Sequence, residues 1–307
     1  MSKAVIFIVG PTGSGKSKLA LILARKLKAE IVSADSMQIY KGMNIGTAKP
    51  TKKEQKLIRH HLLDQLNSRS ECSVIKFQRL AFKAIGEITH RKHLPIVVGG
   101  SGFYVRALID GLDPLPGKKA EYRKRLEKID SATLHKDLKK LDPASAARIH
   151  PNDQKRIIRA LEIINSSPKK ELTKKKKPGL RASGFKPLIF GLNRDRKELY
   201  ERIEKRVDEM LDQGWIQEVK RLKKTGFSQT ARYAIGYKEI LEFLINKRSE
   251  DEVAPEIKKR TRHLAKRQMT WFRKEPHIKW YSVSGEKYEA TSRAVLKEIK
   301  GELNHAA

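Results

Sequence analysis

Residues 9–20 read VGPTGSGKSKLA, and this stretch decides the fold. Gly10, Gly15, Lys16 and Ser17 match the spacing G-x-x-x-x-G-K-[ST] of a phosphate-binding loop. That spacing carries meaning only between a buried strand and a helix. Here the apolar run Ala4–Val9 precedes it, and Leu19, Ile22, Leu23 and Leu27 follow it at helical spacing. Gly10, Pro11, Thr12, Gly13, Ser14 and Gly15 are the candidate binding turn, in which the glycines let backbone N–H groups turn toward a polyphosphate and the helix N-terminus adds partial positive charge. Lys16 reaches the terminal phosphate, and the Ser17 hydroxyl can ligate Mg²⁺. The loop specifies a phosphate ligand and leaves the reaction open.

Outward from the loop, strand and helix patterns alternate. AEIVSAD at 29–35 is a second buried strand, Ser73 caps a helix with Val74, Phe77, Ala81, Ile85 and Ile88 on one stripe, and LPIVVGGSGFY at 94–104 is another strand ending in a glycine turn. The fold expected is α/β: a P-loop NTPase-like core with a parallel sheet flanked by helices, plus an inserted, mainly helical domain. Right-handed crossovers place the loops at the carboxyl ends of these strands along one edge, where ligands bind. The core is expected over 1–115 and 187–307, ending in basic helices, and the insert over 116–186, with helices near 121–140 and 153–165. Its last part, 169–186, is so basic that it reads as a mobile loop, before PLIFGLNRD at 187–195 returns to the sheet.

The 307 residues hold 67 Lys and Arg against 35 Asp and Glu, a formal charge of +32, which calls for a polyanionic partner. Nucleic acid fits better than a membrane, because no apolar stretch approaches the roughly 20 residues that span a bilayer. Residues 257–274 carry eight Lys or Arg and no acid, with Ile257, Leu264, Ala265, Trp271 and Phe272 as the apolar side of an amphipathic helix suited to gripping phosphates. The N-terminal apolar run is broken by Gly10 and Pro11 and reads as a strand rather than a signal peptide, so the protein is expected in the cytoplasm. A single cysteine, Cys72, allows neither an internal disulfide nor a cysteine-based zinc site.

Asp35 directly follows the second strand, so βαβ geometry puts it on the ligand edge. It can hold Mg²⁺ as a Walker B aspartate does, act as a general base for an acceptor, or cap the following turn. The strand at 94–99 carries glycine where a hydrolytic motor carries its metal-binding acid, which argues against ATP hydrolysis. Ser101 in the glycine turn is a candidate donor at the same edge.

VGPTGSGKS, SADSMQIYKGMNIGTAKP, VVGGSGFYVRAL, HPNDQKRIIRALE, YAIGYKE and AKRQMTWFRK, in this order, resemble the tRNA dimethylallyltransferase (tRNA isopentenyltransferase) family over nearly the whole chain. The resemblance implies transfer of a dimethylallyl group from dimethylallyl diphosphate to N6 of the adenosine 3′-adjacent to the anticodon, with release of diphosphate. It implies Asp35 as the base, Lys16 and Ser17 with Mg²⁺ on the leaving group, and Ser101 and Arg232 as further catalytic groups, with Lys238 and Arg106 as other candidates. It also implies tRNA contacts from Asp35, Ser36, Met37, Gln38, Ser101, Arg123, Lys155, Arg156, Ile157, Ile158 and Arg159, in a chain expected to act as a monomer. Gly13, Ser17 and Ser101 stand where the family more often has alanine, threonine and threonine, and the lysine run 174–177 matches no family motif. The rival readings are a P-loop kinase for a small metabolite, an adenylate isopentenyltransferase, and a non-catalytic RNA-binding protein with a relic loop.

Overall fold

The first strand, Ala4–Val9, is buried along its whole length, because it is flanked on both sides by other strands and covered on both faces by helices. The computed structural model describes residues 3–113, 116, 117, 119–166, 178–284 and 287–304. In chain order the elements are β1 (Ala4–Val9), α1 (Lys16–Lys26), β2 (Ala29–Ser33), α2 (Lys52–Leu57), β3 (His60–His61), α3 (Val74–His90), β4 (Leu94–Gly99) and α4 (Gly102–Asp110). Then come α5 (Ala120–Leu126), α6 (Ser131–Leu141), α7 (Pro143–Arg148), α8 (Gln154–Ser166), β5 (Lys186–Asn193), α9 (Arg196–Asp212) and α10 (Trp215–Thr225). The chain continues through α11 (Gln229–Arg232), α12 (Tyr237–Phe243), α13 (Glu250–Phe272), β6 (Ile278–Ser282) and α14 (Tyr288–Asn304).

The chain forms two compact units, one running to Asp110 and resuming at Gly179, the other spanning Gly111–Pro178. In the first, six strands make one sheet in the order β3-β2-β4-β1-β5-β6, and every pair is parallel. Alternate residues of β1 face opposite sides. Ala4, Ile6 and Ile8 pack with Leu19 and Leu23 of α1 and Val295 and Ile299 of α14. Val5, Phe7 and Val9 pack with Phe77, Ala81 and Ile85 of α3. A sheet covered on both faces needs near-continuous apolar strands, and β1 (AVIFIV) and β4 (LPIVVG) are such runs.

The register brings Val9 beside Gly99 and Ser33 beside Val98, so the carboxyl ends of β1, β2 and β4 finish at one level. A Cβ at Gly99 would lie 2.3 Å from the Ala34 carbonyl oxygen, so only glycine allows β4 to end this close to β2. This steric demand accounts for glycine at the place where a hydrolytic motor carries an acid.

In the second unit the expected long helix near 121–140 is two helices, because Asp130 accepts the Thr133 N–H at 2.9 Å and starts α6 anew. Leu126, Leu134, Leu138, Ala146, Ile157, Ile158 and Leu161 form its core. The expected mobile loop 169–186 differs in its last part: Leu180 is fully buried, its N–H donates to the Leu108 carbonyl at 2.9 Å, and Arg181–Ser183 form a 3₁₀ turn. One apolar side chain thus anchors a basic segment. The lysine run 174–177 lies outside the described residues. The sequence patterns also did not extend to β6 and α14, which close one edge and one face of the sheet.

Candidate active site

The carboxyl ends of β1, β2 and β4 open into a cavity of about 880 Å³ within the first unit. The phosphate-type loop forms its floor, and helices hold that loop by its carbonyls. Arg202 Nε of α9 donates to the Gly13 carbonyl at 3.1 Å. The Tyr288 hydroxyl of α14 donates to the Gly15 carbonyl at 2.7 Å. The Thr12 N–H donates to Gln268 Oε1 of α13 at 2.8 Å. Thr12, Gly13, Gly15, Lys16 and Ser17 line the cavity. Gly10, Pro11 and Ser14 lie behind its surface, with Ser14 fully buried. Gly10 holds φ +134°, and a Cβ there would lie 2.4 Å from the Leu192 carbonyl oxygen.

Lys16 donates to the Pro11 carbonyl at 2.5 Å, which folds its ammonium over the loop. Its pKa is lowered to about 7, by burial among protein atoms first and by the charge of Arg206 second, with the Asp35 carboxylate acting in the opposite sense. Arg206, on α9, is likewise held below its ordinary value, by burial first, with Asp35 again opposing. Among the described residues, neither cation has a carboxylate within ion-pair distance. Two under-compensated cations at one cavity make a strong field for a polyanion.

Asp35, Ser36, Met37 and Gln38 stand on the same cavity. Asp35 Oδ1 accepts the Met37 N–H at 2.8 Å and the Gln38 N–H at 3.3 Å. One oxygen therefore caps the turn, as one of the readings of the sequence held, while the half-buried carboxylate still lines the cavity. Gln38 is tied on every side: its Oε1 accepts the Ser33 hydroxyl at 2.8 Å, and its Nε2 donates to the Thr47 and Ala48 carbonyls at 3.1 and 3.3 Å. Its side chain supports the wall.

Other expected residues stand elsewhere. Ser101 does not line the cavity; its carbonyl accepts the Tyr104 and Val105 N–H groups at 2.9 and 3.0 Å and so starts α4. Arg232 is exposed at the end of α11, off the cavity wall, which takes its neighbours Tyr233 and Ala234 instead. Lys238 pairs with Glu242 at 3.5 Å, and Arg106 is exposed on α4. In the second unit, Ile157 and Ile158 are 0% and 3% exposed, so the expectation that their side chains meet RNA gives way to a core role. Arg123 and Arg159 reach Glu162 at 2.6 and 3.4 Å, and Arg159 also donates to the Pro116 carbonyl at 2.6 Å. Lys155 and Arg156 are exposed.

Arg202, Arg206 and Gln268 escaped the sequence reading. The first two form an i, i+4 pair in the middle of the helix that follows β5. Along the chain they are two of many cations on α9, and no local signal singles them out.

The family model for IPP transferase matches residues 38–275. A tRNA dimethylallyltransferase of Carboxydothermus hydrogenoformans is 43% identical, over 97% of this chain and 98% of that protein. A tRNA isopentenylpyrophosphate transferase structure from Bacillus halodurans is similar with a TM-score of 0.74 at 38% identity, covering 99% of this chain and 98% of that one. A eukaryotic dimethylallyltransferase described as acting on tRNA gives a TM-score of 0.78 at 31% identity, over 96% of this chain and 78% of that one.

Proposed function

Since the chain belongs to the IPP transferase family, we propose that it transfers a dimethylallyl group from dimethylallyl diphosphate to N6 of the adenosine 3′-adjacent to the anticodon in tRNA. The observation that carries this reading is the cavity itself, which sets Lys16 and Arg206 against Asp35. An allylic C–O bond breaks through a loose transition state, with negative charge growing on the departing diphosphate. Cations already in place around that charge stabilise it without reorganisation. The adenine amine becomes acidic as its N–C bond forms, and Asp35 takes the proton, so the products are N6-dimethylallyladenosine, diphosphate and a protonated carboxyl. A positioned base is worth about 10²–10⁴-fold. To reach the cavity the adenosine leaves the anticodon stack, at a cost of a few kcal/mol.

Mg²⁺ suits the donor set. The Ser17 hydroxyl is a hard oxygen ligand on the cavity, and no group of three or more His, Cys, Asp or Glu gathers for a metal among the described residues. Mg²⁺ characteristically uses one or two protein oxygens plus phosphate oxygens; bound so, it would neutralise charge on the diphosphate. The charge of +32 suits tRNA as the partner, with Lys155 and Arg156 as exposed cations of the second unit. Ser101 and Arg232 remain candidates for contacts with RNA rather than with the reacting atoms. No helix among the described residues is long and apolar enough to cross a membrane, and we place the protein in the cytoplasm as a monomer.

Labelled dimethylallyl diphosphate incubated with the protein and tRNA, AMP or no acceptor tests the reading. Label is expected on tRNA alone. Label on AMP and never on tRNA would replace the reading with a free-nucleotide prenyltransferase, and phosphate transfer from ATP to a small acceptor would replace it with a kinase.

A further inference from the structure

Between β2 and α2 the chain runs as an irregular loop, and residues 46–49 of it line the cavity. An irregular segment must find partners for its backbone groups outside any ladder or helix. Three successive N–H groups here share one acceptor, Glu218 of α10. Asn44 and Ile45 donate to its Oε2, each at 2.9 Å, and Gly46 donates to its Oε1 at 3.4 Å. The Tyr237 hydroxyl donates to the same Oε1 at 2.7 Å. Glu218 is 3% exposed, and four donors compensate the desolvation of its carboxylate.

The bonds continue from that point to the acceptor side of the cavity. The carbonyls of Thr47 and Ala48 accept from Gln38 Nε2, and the Gln38 N–H donates to Asp35 Oδ1. Lys49 braces the same loop from within, donating to the Tyr40 carbonyl at 2.8 Å and to Asn44 Oδ1 at 2.9 Å, with Asp64 at 2.7 Å. Lys16 and Ser17, by contrast, open α1 directly after the β1–α1 loop, which is held by Arg202, Tyr288 and Gln268. The two sides of the cavity thus have separate supports.

We propose that Glu218 is a positioning residue for the acceptor half of the reaction: through residues 44–48 and Gln38 it sets the orientation of the Asp35 carboxylate, leaving the diphosphate side untouched. This rests on the prenyl-transfer reading above. In Glu218→Gln an amide NH₂ replaces one acceptor oxygen, facing either the Asn44 and Ile45 N–H groups or the Gly46 N–H and the Tyr237 hydroxyl, so at least one backbone N–H of the loop loses its acceptor.

Steady-state kinetics of the full-length protein with labelled dimethylallyl diphosphate and tRNA test it, beside a thermal melt of each variant. Glu218→Gln should lower kcat with tRNA roughly 10- to 100-fold, the scale of a misplaced reacting group, while KM for the donor stays within about twofold. Tyr237→Phe removes one donor and keeps the ring, and should lower kcat in the same sense by roughly 2- to 10-fold. A folded Glu218→Gln protein with unchanged kcat, or with a donor KM rising in step, overturns the proposal. If Glu218→Gln fails to fold, Tyr237→Phe decides alone, and an unchanged kcat there overturns it. A wild-type chain that transfers nothing to tRNA would defeat the functional reading instead, a result that needs no variant.

Discussion

Two groups of cations, one in each unit, have opposite surroundings. In the second unit Arg123 and Arg159 converge on Glu162, whose side chain is fully buried. Burial pushes that carboxyl up, and the two guanidinium groups more than offset it, so its pKa falls below the ordinary value. In the first unit Lys16 and Arg206 share a cavity with no ion-pair partner among the described residues, and both are held below their usual pKa values. A cation already matched by a buried carboxylate is holding a fold together. One crowded by protein and by another cation has its compensation still to come from a bound anion.

The sharpest way to break this comparison is at Asp35, the carboxylate of the cavity that opposes the lowered pKa values of both Lys16 and Arg206. Asp35→Asn should lower turnover at least about 100-fold and leave tRNA binding within a few-fold, as read by single-turnover transfer and by filter binding. Unchanged turnover would remove Asp35 as the base.

Next in size is the contrast between the cations. Arg206→Gln should raise KM for dimethylallyl diphosphate by about 10-fold or more with little change in stability, because the interaction removed is one with the ligand. Arg123→Gln should do the reverse. It leaves donor KM unchanged and lowers the unfolding free energy by about 1–3 kcal/mol, the cost of loosening a buried charged hydrogen bond, measured by urea titration. If the two variants behaved alike, the distinction between structural and ligand-facing cations would fall.

The most gradual effect is in pH. Lys16 has a pKa of about 7 in the folded chain against an ordinary 10.5, so between those values the unfolded chain holds a proton the folded one has released. Stability from this group therefore rises with pH across that window, is flat below it, and changes by at most about 1.4 kcal/mol per pH unit. Lys16→Met should remove that slope in urea titrations at pH 7, 8 and 9. A variant with the wild-type slope would mean that Lys16 is not under electrostatic pressure.

Much of this site was legible in local order. The loop at 10–17 has a fixed spacing, Asp35 follows a strand of a parallel sheet, and both statements concern neighbours in the chain, so Lys16, Ser17 and Asp35 line the cavity as read. Ile157 and Ile158 were misread because a motif spans every face of its helix, while only burial tells which faces remain open. Ser101 stands off the cavity lining, because position at a strand end does not say whether a residue faces the cavity or starts the next helix. Arg206 was passed over because α9 offers an apolar stripe and many cations, and nothing along the chain picks out the one that faces Lys16.

By itself the sequence determined the α/β class, the phosphate loop, the carboxylate beside it and the family, since all of these follow from short-range spacing and the order of motifs. Only the tertiary structure decided which charges meet. Glu218 lies more than 170 residues from the loop it holds, and Gln268 lies 256 residues from Thr12. Electrostatics and hydrogen bonding act over a few ångströms of space whatever the separation along the chain, so the difference between a matched cation and an unmatched one exists only once the fold has brought its neighbours in.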